Sequence, residues 1–364
     1  MEKKKRITAR RVKIAFLSFY SGVHFRGVET YVHEVANRLN DLGHDVVVYQ
    51  NGNKLYGTRY KTVSLHVPVD DSKKGYFGLF LNSLANINAA RIFTKKVLQE
   101  IDLSTEVVVA TNNRFQAYLC KFWALRHKAK MVIHGQGGTG FDERIALWSF
   151  PDVFIPLSEH QKKWDKKINP FIKVTNVIHN GVDLEEFQKK VKPLRITLGK
   201  PIILCVAALW PMKRINLLIK AASKLKKGSL LIVGRGEMEE ELRKLGNKLL
   251  KNRFEITSFP HHKMPPVYAA CDLFTYPTSN WESFGIVLVE AMASGLPVVA
   301  TDDPIRREIV GEAGIFVDPT DTEAYAQALE TALTTNWGDK PRRQAEKFSW
   351  DKIARQYEDL FNSL

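Results

Sequence analysis

Glu282 and Glu290 stand eight positions apart in the run Trp-Glu-Ser-Phe-Gly-Ile-Val-Leu-Val-Glu-Ala-Met-Ala-Ser-Gly that spans 281–295. The first acid lies in a polar loop with Ser279, Asn280 and Ser283; the second lies in an apolar, helix-like run that ends at Gly295-Leu296-Pro297. A helix beginning near Gly285 would offer unpaired backbone N–H groups and a positive dipole end to an anion. One acid then sits just outside the helix start and the other about a turn and a half inside it. This suits a ligand with a phosphate between two sets of hydroxyls, that is, a nucleotide sugar. Two acids at one spacing also arise by chance, on a loop and on a helix face, so the surroundings carry the weight.

Three further places hold chemistry. His134 ends an apolar run and opens Gly135-Gln136-Gly137-Gly138-Thr139-Gly140. A histidine leading into four glycines predicts the lining of a ligand cleft rather than a core position. Lys213 and Arg214 follow the turn Trp210-Pro211 at the start of a helical stretch, where cations oppose the helix dipole unless they meet an anion such as a diphosphate. The first loop holds Gly22, Arg26, Gly27 and Glu29 between a strand and a helix. Its glycines would let the backbone approach a phosphate. It is not G-x-G-x-x-G and no acid closes a second strand, which disfavours a dehydrogenase.

These loops need a scaffold of parallel strands. Val12–Phe19, 45–49, 107–110, 131–134, 153–156 and 174–178 read as strands, with a helix over 27–42. After Pro193 the pattern restarts with strands at 201–207, 230–233, 254–258, 273–276 and 297–301 and a helix over 215–225. Strand–helix alternation predicts α/β architecture: two Rossmann-like, doubly wound parallel sheets, with ligands beyond the carboxyl ends of the strands. The Asn180-Gly181-Val182-Asp183 run reads as the hinge between 1–180 and 181–349.

At 364 residues, two domains are expected. No apolar run reaches the roughly 18 residues of a membrane span, and the start Met-Glu-Lys-Lys-Lys-Arg lacks an apolar leader, so a cytoplasmic location is expected. Cys120, Cys205 and Cys271 are far apart in apolar surroundings and read as buried thiols, not as a disulfide or a metal site. Residues 1–180 carry 28 Lys and Arg against 15 Asp and Glu, whereas 181–364 carry 26 against 24. The first half therefore either faces an anionic partner (a bilayer surface, an acceptor or nucleic acid) or presents a solvated face. Lys73-Lys74-Gly-Tyr76-Phe77-Gly-Leu79-Phe80-Leu81 has the composition of an interfacial membrane contact and equally that of a core helix.

Together these residues resemble glycosyltransferase family 4, a retaining group of two-domain GT-B enzymes. Gly27-Val-Glu29 with Gly43-His-Asp-Val46 is similar to the family's first loop and helix. The run 177–183 with Phe187 is similar to its linker, and Phe348-Ser-Trp350 to its final segment. Gly285, Glu282, Glu290 and the run to Val299 are similar to its donor signature. The resemblance implies two domains facing each other across a cleft, with 1–180 (completed by a helix over 350–364) the acceptor domain and 181–349 the donor domain. Glu290 would take the ribose hydroxyls and Glu282 those of the transferred sugar. The backbone of Phe284, Gly285 and Ile286 would approach sugar and diphosphate. Lys213 would neutralise the β-phosphate with Arg214 beside it, His134 would touch the sugar near the reacting carbon, and Gly27 would flank the diphosphate. Two positions depart from the pattern: Arg26 replaces the first glycine of a usual pair, and Ala208 stands where an arginine is usual. Either Arg26 restores the cation missing at Ala208, or the diphosphate site is weakened and activity is poor or lost.

Fixed cations and a helix start can stabilise a departing diphosphate without a metal. With no Asp-x-Asp and no His/Cys cluster, no obligatory divalent ion is expected. Retention follows from the resemblance alone. The same architecture serves sugar-nucleotide epimerases, which would release no nucleotide in response to an acceptor. A basic nucleic-acid-binding protein is the remote alternative, since no such motif is present. Lipid-linked, glycan and other cell-envelope acceptors, with peripheral contact to the inner membrane face, fit the basic first half.

Overall fold

The computed structural model describes residues 10–24, 26–69, 75–112 and 114–364, with backbone alone for 75–84. The chain divides into two compact units, one built from residues up to Asn180 together with Trp350–Leu364, the other from Gly181–Ser349.

In the first unit β1 (Lys13–Ser18), β2 (Asp45–Gln50), β3 (Lys61–Ser64), β4 (Val107–Ala110), β5 (Lys130–His134) and β6 (Val153–Ile155) form one parallel sheet in the order β3-β2-β1-β4-β5-β6. In the second, β7 (Ile202–Val206), β8 (Ser229–Val233), β9 (Phe254–Thr257), β10 (Leu273–Tyr276), β11 (Val298–Thr301) and β12 (Gly314–Val317) take the order β12-β11-β10-β7-β8-β9. Both sheets are Rossmann sheets: numbered within its own unit, each reads 3-2-1-4-5-6. The inner strands are apolar runs buried on both faces, as helices covering a parallel sheet on each side require. The edge strands β3 and β12 have no counterpart in the sequence reading. Each is four residues long and only partly buried: β3 (Lys-Thr-Val-Ser) has no apolar run, and the one in β12 (Gly-Ile-Phe-Val) is short.

One expected strand is corrected. Residues 174–178 make only an isolated bridge at Val174, in which Phe154 N–H donates to Lys173 O and Thr175 N–H to Phe154 O. The stretch leans on the edge of β6 without extending the sheet. Lys73 and Lys74 of the cation–aromatic segment, and the basic tail before Arg10, lie outside the described residues; Gly75–Glu100 is a helix. No described helix is long and apolar enough to cross a membrane. Cys120, Cys205 and Cys271 are buried and free, and burial pushes each thiol up.

Asp165, in the helix Glu159–Ile168, is fully buried, and neither carboxylate oxygen has a hydrogen-bond partner among the described residues. Burial, reinforced by the nearby Glu143 carboxylate, pushes its carboxyl up to about 8. The folded protein keeps a proton that the unfolded chain releases near 3.8. The stability this confers is complete below the unfolded value and is lost as pH rises through the folded one. Asp165→Asn is therefore expected to raise the melting temperature at mildly alkaline pH and to flatten the decline between 3.8 and about 8. Equal melting profiles for parent and variant would contradict this assignment.

Candidate functional site

In the second unit the site grows from the carboxyl ends of β7 and β10. The chain leaves β7 through Ala208 and Leu209, turns through the short 3-10 helix Pro211–Lys213, and enters the helix Ile215–Ser223 at Arg214. Arg214 is left-handed at φ 49, an unfavourable region for a side chain with a Cβ. This kink sends Lys213 back towards β10. Its ammonium donates to the Tyr276 hydroxyl at 2.9 Å and pairs with the Glu282 carboxylate. It also lies 5.2 Å from the centre of the Tyr276 ring.

Burial opposes the Lys213 charge, but Tyr276 and Glu282 outweigh it and hold the ammonium above the usual lysine range. Burial, with Glu282 adding to it, pushes the Tyr276 phenol up to about 12. At neutral pH the Lys213 ammonium is thus a fixed cation beside the neutral Tyr276 phenol and Glu282. Arg214 donates to Thr278 O at 2.6 Å. Burial lowers its guanidinium, offset in part by Asp318 and Asp303.

The 278–285 loop is held from below. Ser279 N–H donates to Met212 O at 2.8 Å, and the Thr301 hydroxyl donates to Thr278 O at 2.6 Å. Arg306, fully buried, donates from Nη1 to Glu282 O at 2.8 Å and from Nε to Asp303 Oδ2 at 2.8 Å. The loop ends at Gly285, whose φ of +85 and close approach to Tyr276 exclude a Cβ: one built there would stand 2.9 Å from the ring. Phe284 is buried with its ring 5.9 Å from that of Phe348. The helix Ile286–Ala293 starts here, so the expected helix start beside Glu282 is present. Glu290, inside that helix and buried, accepts from the Tyr268 hydroxyl at 2.8 Å and lies 2.9 Å from His261 Nε2. Lys213, Arg214, Glu282, Gly285 and Ile286 thus come together, and Glu290 sits a turn further along.

In the first unit, His134 ends β5 and is buried, at 4% exposure. Nε2 lies 2.9 Å from Ile178 O, while Nδ1 lies 2.7 Å from the Tyr357 hydroxyl and 2.9 Å from Gln136 Nε2. The carbonyl fixes the proton on Nε2, leaving Nδ1 as acceptor. Burial pushes the imidazole down to about 3, so it stays neutral. Both nitrogens are thus engaged inside its own unit, with Gln136 of the glycine loop on Nδ1, and the ring carries no charge. That loop is also tied by Gln161 Nε2 to Gly135 O at 3.0 Å, by Gly137 N–H to Glu143, and by a reciprocal amide pair between Gln136 and Asn180. Arg26 caps the helix Gly27–Asp41. Its backbone N–H and guanidinium both donate to Glu29, and the guanidinium lies 4.5 Å over the Tyr20 ring.

Sequence reasoning missed Tyr276, Arg306, His261 and Tyr268. Tyr276 ends a strand beside the site and could have been found by the rule that led to Lys213. Arg306 could not: Pro-Ile-Arg-Arg-Glu reads as an exposed helix start.

A family profile described as "Glycosyltransferase Family 4" matches residues 25–186, and one described as "Glycosyl transferases group 1" matches 186–349. An exopolysaccharide phosphotransferase of Streptomyces coelicolor is 29% identical over 63% of this chain, which spans only a quarter (25%) of that relative's length. The N-acetylgalactosamine-N,N'-diacetylbacillosaminyl-diphospho-undecaprenol 4-alpha-N-acetylgalactosaminyltransferase of Campylobacter jejuni is 32% identical over 72% of this chain and 77% of its own. The Anabaena protein HepE, solved with UDP and glucose, superposes with a TM-score of 0.76 over 97% of this chain and 100% of its own, at 20% identity. The two-sheet fold and these matches agree: the chain belongs to glycosyltransferase family 4, the GT-B enzymes of glycosyl transferase group 1.

Proposed function

We propose that this glycosyltransferase moves a hexose from a nucleoside diphosphate sugar, with retention of configuration, to a lipid-linked, glycan or other cell-envelope acceptor. The observation that carries the reading is the Lys213 ammonium, held by Tyr276 and Glu282 beside the start of the helix Ile286–Ala293. A cation fixed next to free backbone N–H groups stabilises the charge that develops on a departing diphosphate without rearranging. Glu282 takes hydroxyls of the transferred sugar; Glu290, each of whose oxygens keeps a second lone pair, takes those of the ribose. The HepE complex with UDP and glucose and the Campylobacter relative's diphospho-undecaprenol acceptor support the donor and acceptor classes.

No divalent ion is required, because Lys213 takes the cation's part. Transfer occurs in the cytoplasm, at the inner membrane face. A thermal-shift screen of UDP- and GDP-sugars tests the donor, since a ligand that binds the folded chain stabilises it more the further its concentration exceeds Kd. Product anomers and turnover in EDTA test the rest. No stabilisation by any nucleotide sugar, or an inverted product, would overturn the reading.

Arg26 is the remaining cation of the family's diphosphate set, standing in for the arginine absent at Ala208. Arg26→Ala is expected to raise the donor KM about tenfold, the size of one charge-assisted contact. An unchanged KM would confine Arg26 to its helix cap.

A further inference from the structure

The Glu290 side chain is only 6% exposed, and a carboxyl group removed from water must find hydrogen-bond partners. It meets two of different character. Oε2 accepts from the Tyr268 hydroxyl at 2.8 Å, and that phenol is fully buried. Burial and the nearby Glu290 push the phenol up, so it stays a donor. Oε1 lies 2.9 Å from Nε2 of His261, whose side chain is 29% exposed. With Oε1 as acceptor the His261 proton lies on Nε2, where an imidazole and an imidazolium donate alike.

The surrounding chain holds His261 in this place. It follows β9 in the 3-10 helix His261–Lys263, whose turn is closed by Lys263 N–H donating to Pro260 O at 2.9 Å. Prolines follow in the first turn of the helix Met264–Ala269, where a missing N–H costs little. There Pro266 O accepts from Leu194 N–H at 2.9 Å. Phe187, buried in the helix Leu184–Gln188, sets its ring 5.8 Å from His261 and 5.8 Å from Tyr268. Both partners of Glu290 thus pack on one aromatic ring, and the carboxyl group is gripped from two sides. Tyr268 is sealed inside the unit while His261 reaches water, so a ligand arrives on the His261 side.

We propose that His261 is a positioning residue for the donor: by holding Oε1 it orients the lone pairs of Glu290 that take the ribose hydroxyls. This rests on the donor reading above and adds a residue to it. A group acting through Glu290 matters only for ligands that carry those hydroxyls. One that merely holds the fold weakens every ligand alike.

The test is calorimetric binding of UDP and GDP to the full chain, each against its dideoxyribose counterpart, which lacks both ribose hydroxyls. His261→Ala should bind the parent's preferred ribose nucleotide about tenfold more weakly, the size of one hydrogen bond to a charged group, and its dideoxy form within about twofold of the parent. His261→Gln, whose amide nitrogen can stand where the ring Nε2 stood, should recover most of the loss. Both variants change a partly exposed side chain and should melt as the parent does. Equal loss for the ribose and dideoxy forms, or no loss for either, would overturn this proposal and leave the donor reading intact. A parent that binds no nucleotide, or binds the two forms equally, would overturn the donor reading or its Glu290 assignment, and this proposal with it.

Discussion

Lys213→Ala is expected to lower kcat/KM by about 10²–10³-fold, the range seen when one fixed donor to a developing negative charge is removed. The loss should fall mainly on kcat, because the diphosphate gains charge as the glycosidic bond breaks and the ammonium's attraction rises with it. UDP affinity, measured by calorimetry, should fall less. The substitution also strips Glu282 of its ion-pair partner in a poorly hydrated place, at a cost of about 1–3 kcal/mol. Lys213→Arg separates the two effects: it keeps a cation but replaces a compact ammonium with a planar fork that cannot repeat the contact to the Tyr276 hydroxyl. If Lys213→Ala leaves kcat within a factor of two or so of the parent, the electrostatic assignment fails.

Arg306→Met is expected to destabilise the second unit by about 3–5 kcal/mol, the usual consequence of breaking a buried ion pair from one side. Arg306 is fully buried, and among the described residues its loss leaves the Asp303 carboxylate with the backbone N–H groups of Ile305 and position 306 as donors. The Glu282 carbonyl loses its anchor at the same time. Turnover should therefore fall at temperatures where the variant is still folded, with the donor KM rising because Glu282 is no longer held. Arg306→Lys should recover part of the stability, since it keeps the charge, but little of the KM, since it lacks the separate nitrogen by which the guanidinium reaches the Glu282 carbonyl while another holds Asp303. Denaturant unfolding of the three proteins checks the first effect and donor titration of turnover the second. Parent-like unfolding of Arg306→Met would remove this residue from the account.

What could be read from the sequence follows from where each signal lies. Glu282, Gly285, Lys213 and Arg214 sit in loops after apolar strands, so the parallel-sheet rule located them before any coordinates. The inner strands were legible for the same reason: burial on both faces makes them unbroken apolar runs. β3 was not, because Lys-Thr-Val-Ser has no such run, and β12 was passed over because its apolar Gly-Ile-Phe-Val is only four residues long. The state of His134 was hidden more deeply. It depends on a hydroxyl at Tyr357, 223 positions away, and no local pattern reports a contact at that separation. Arg306 was hidden by its type, since an arginine is read as exposed until a buried carboxylate and a carbonyl are found around it.

The helix Trp350–Asn362 buries Trp350, Ile353, Ala354, Tyr357 and Phe361 within the first unit, whose other residues end at Asn180. During synthesis, therefore, the first unit emerges from the ribosome early but stays unfinished, with the His134 pocket lacking its Tyr357 wall. The second unit, one unbroken stretch, can complete itself meanwhile. The amino-terminal unit therefore cannot complete its core until residues 350–364 have been made.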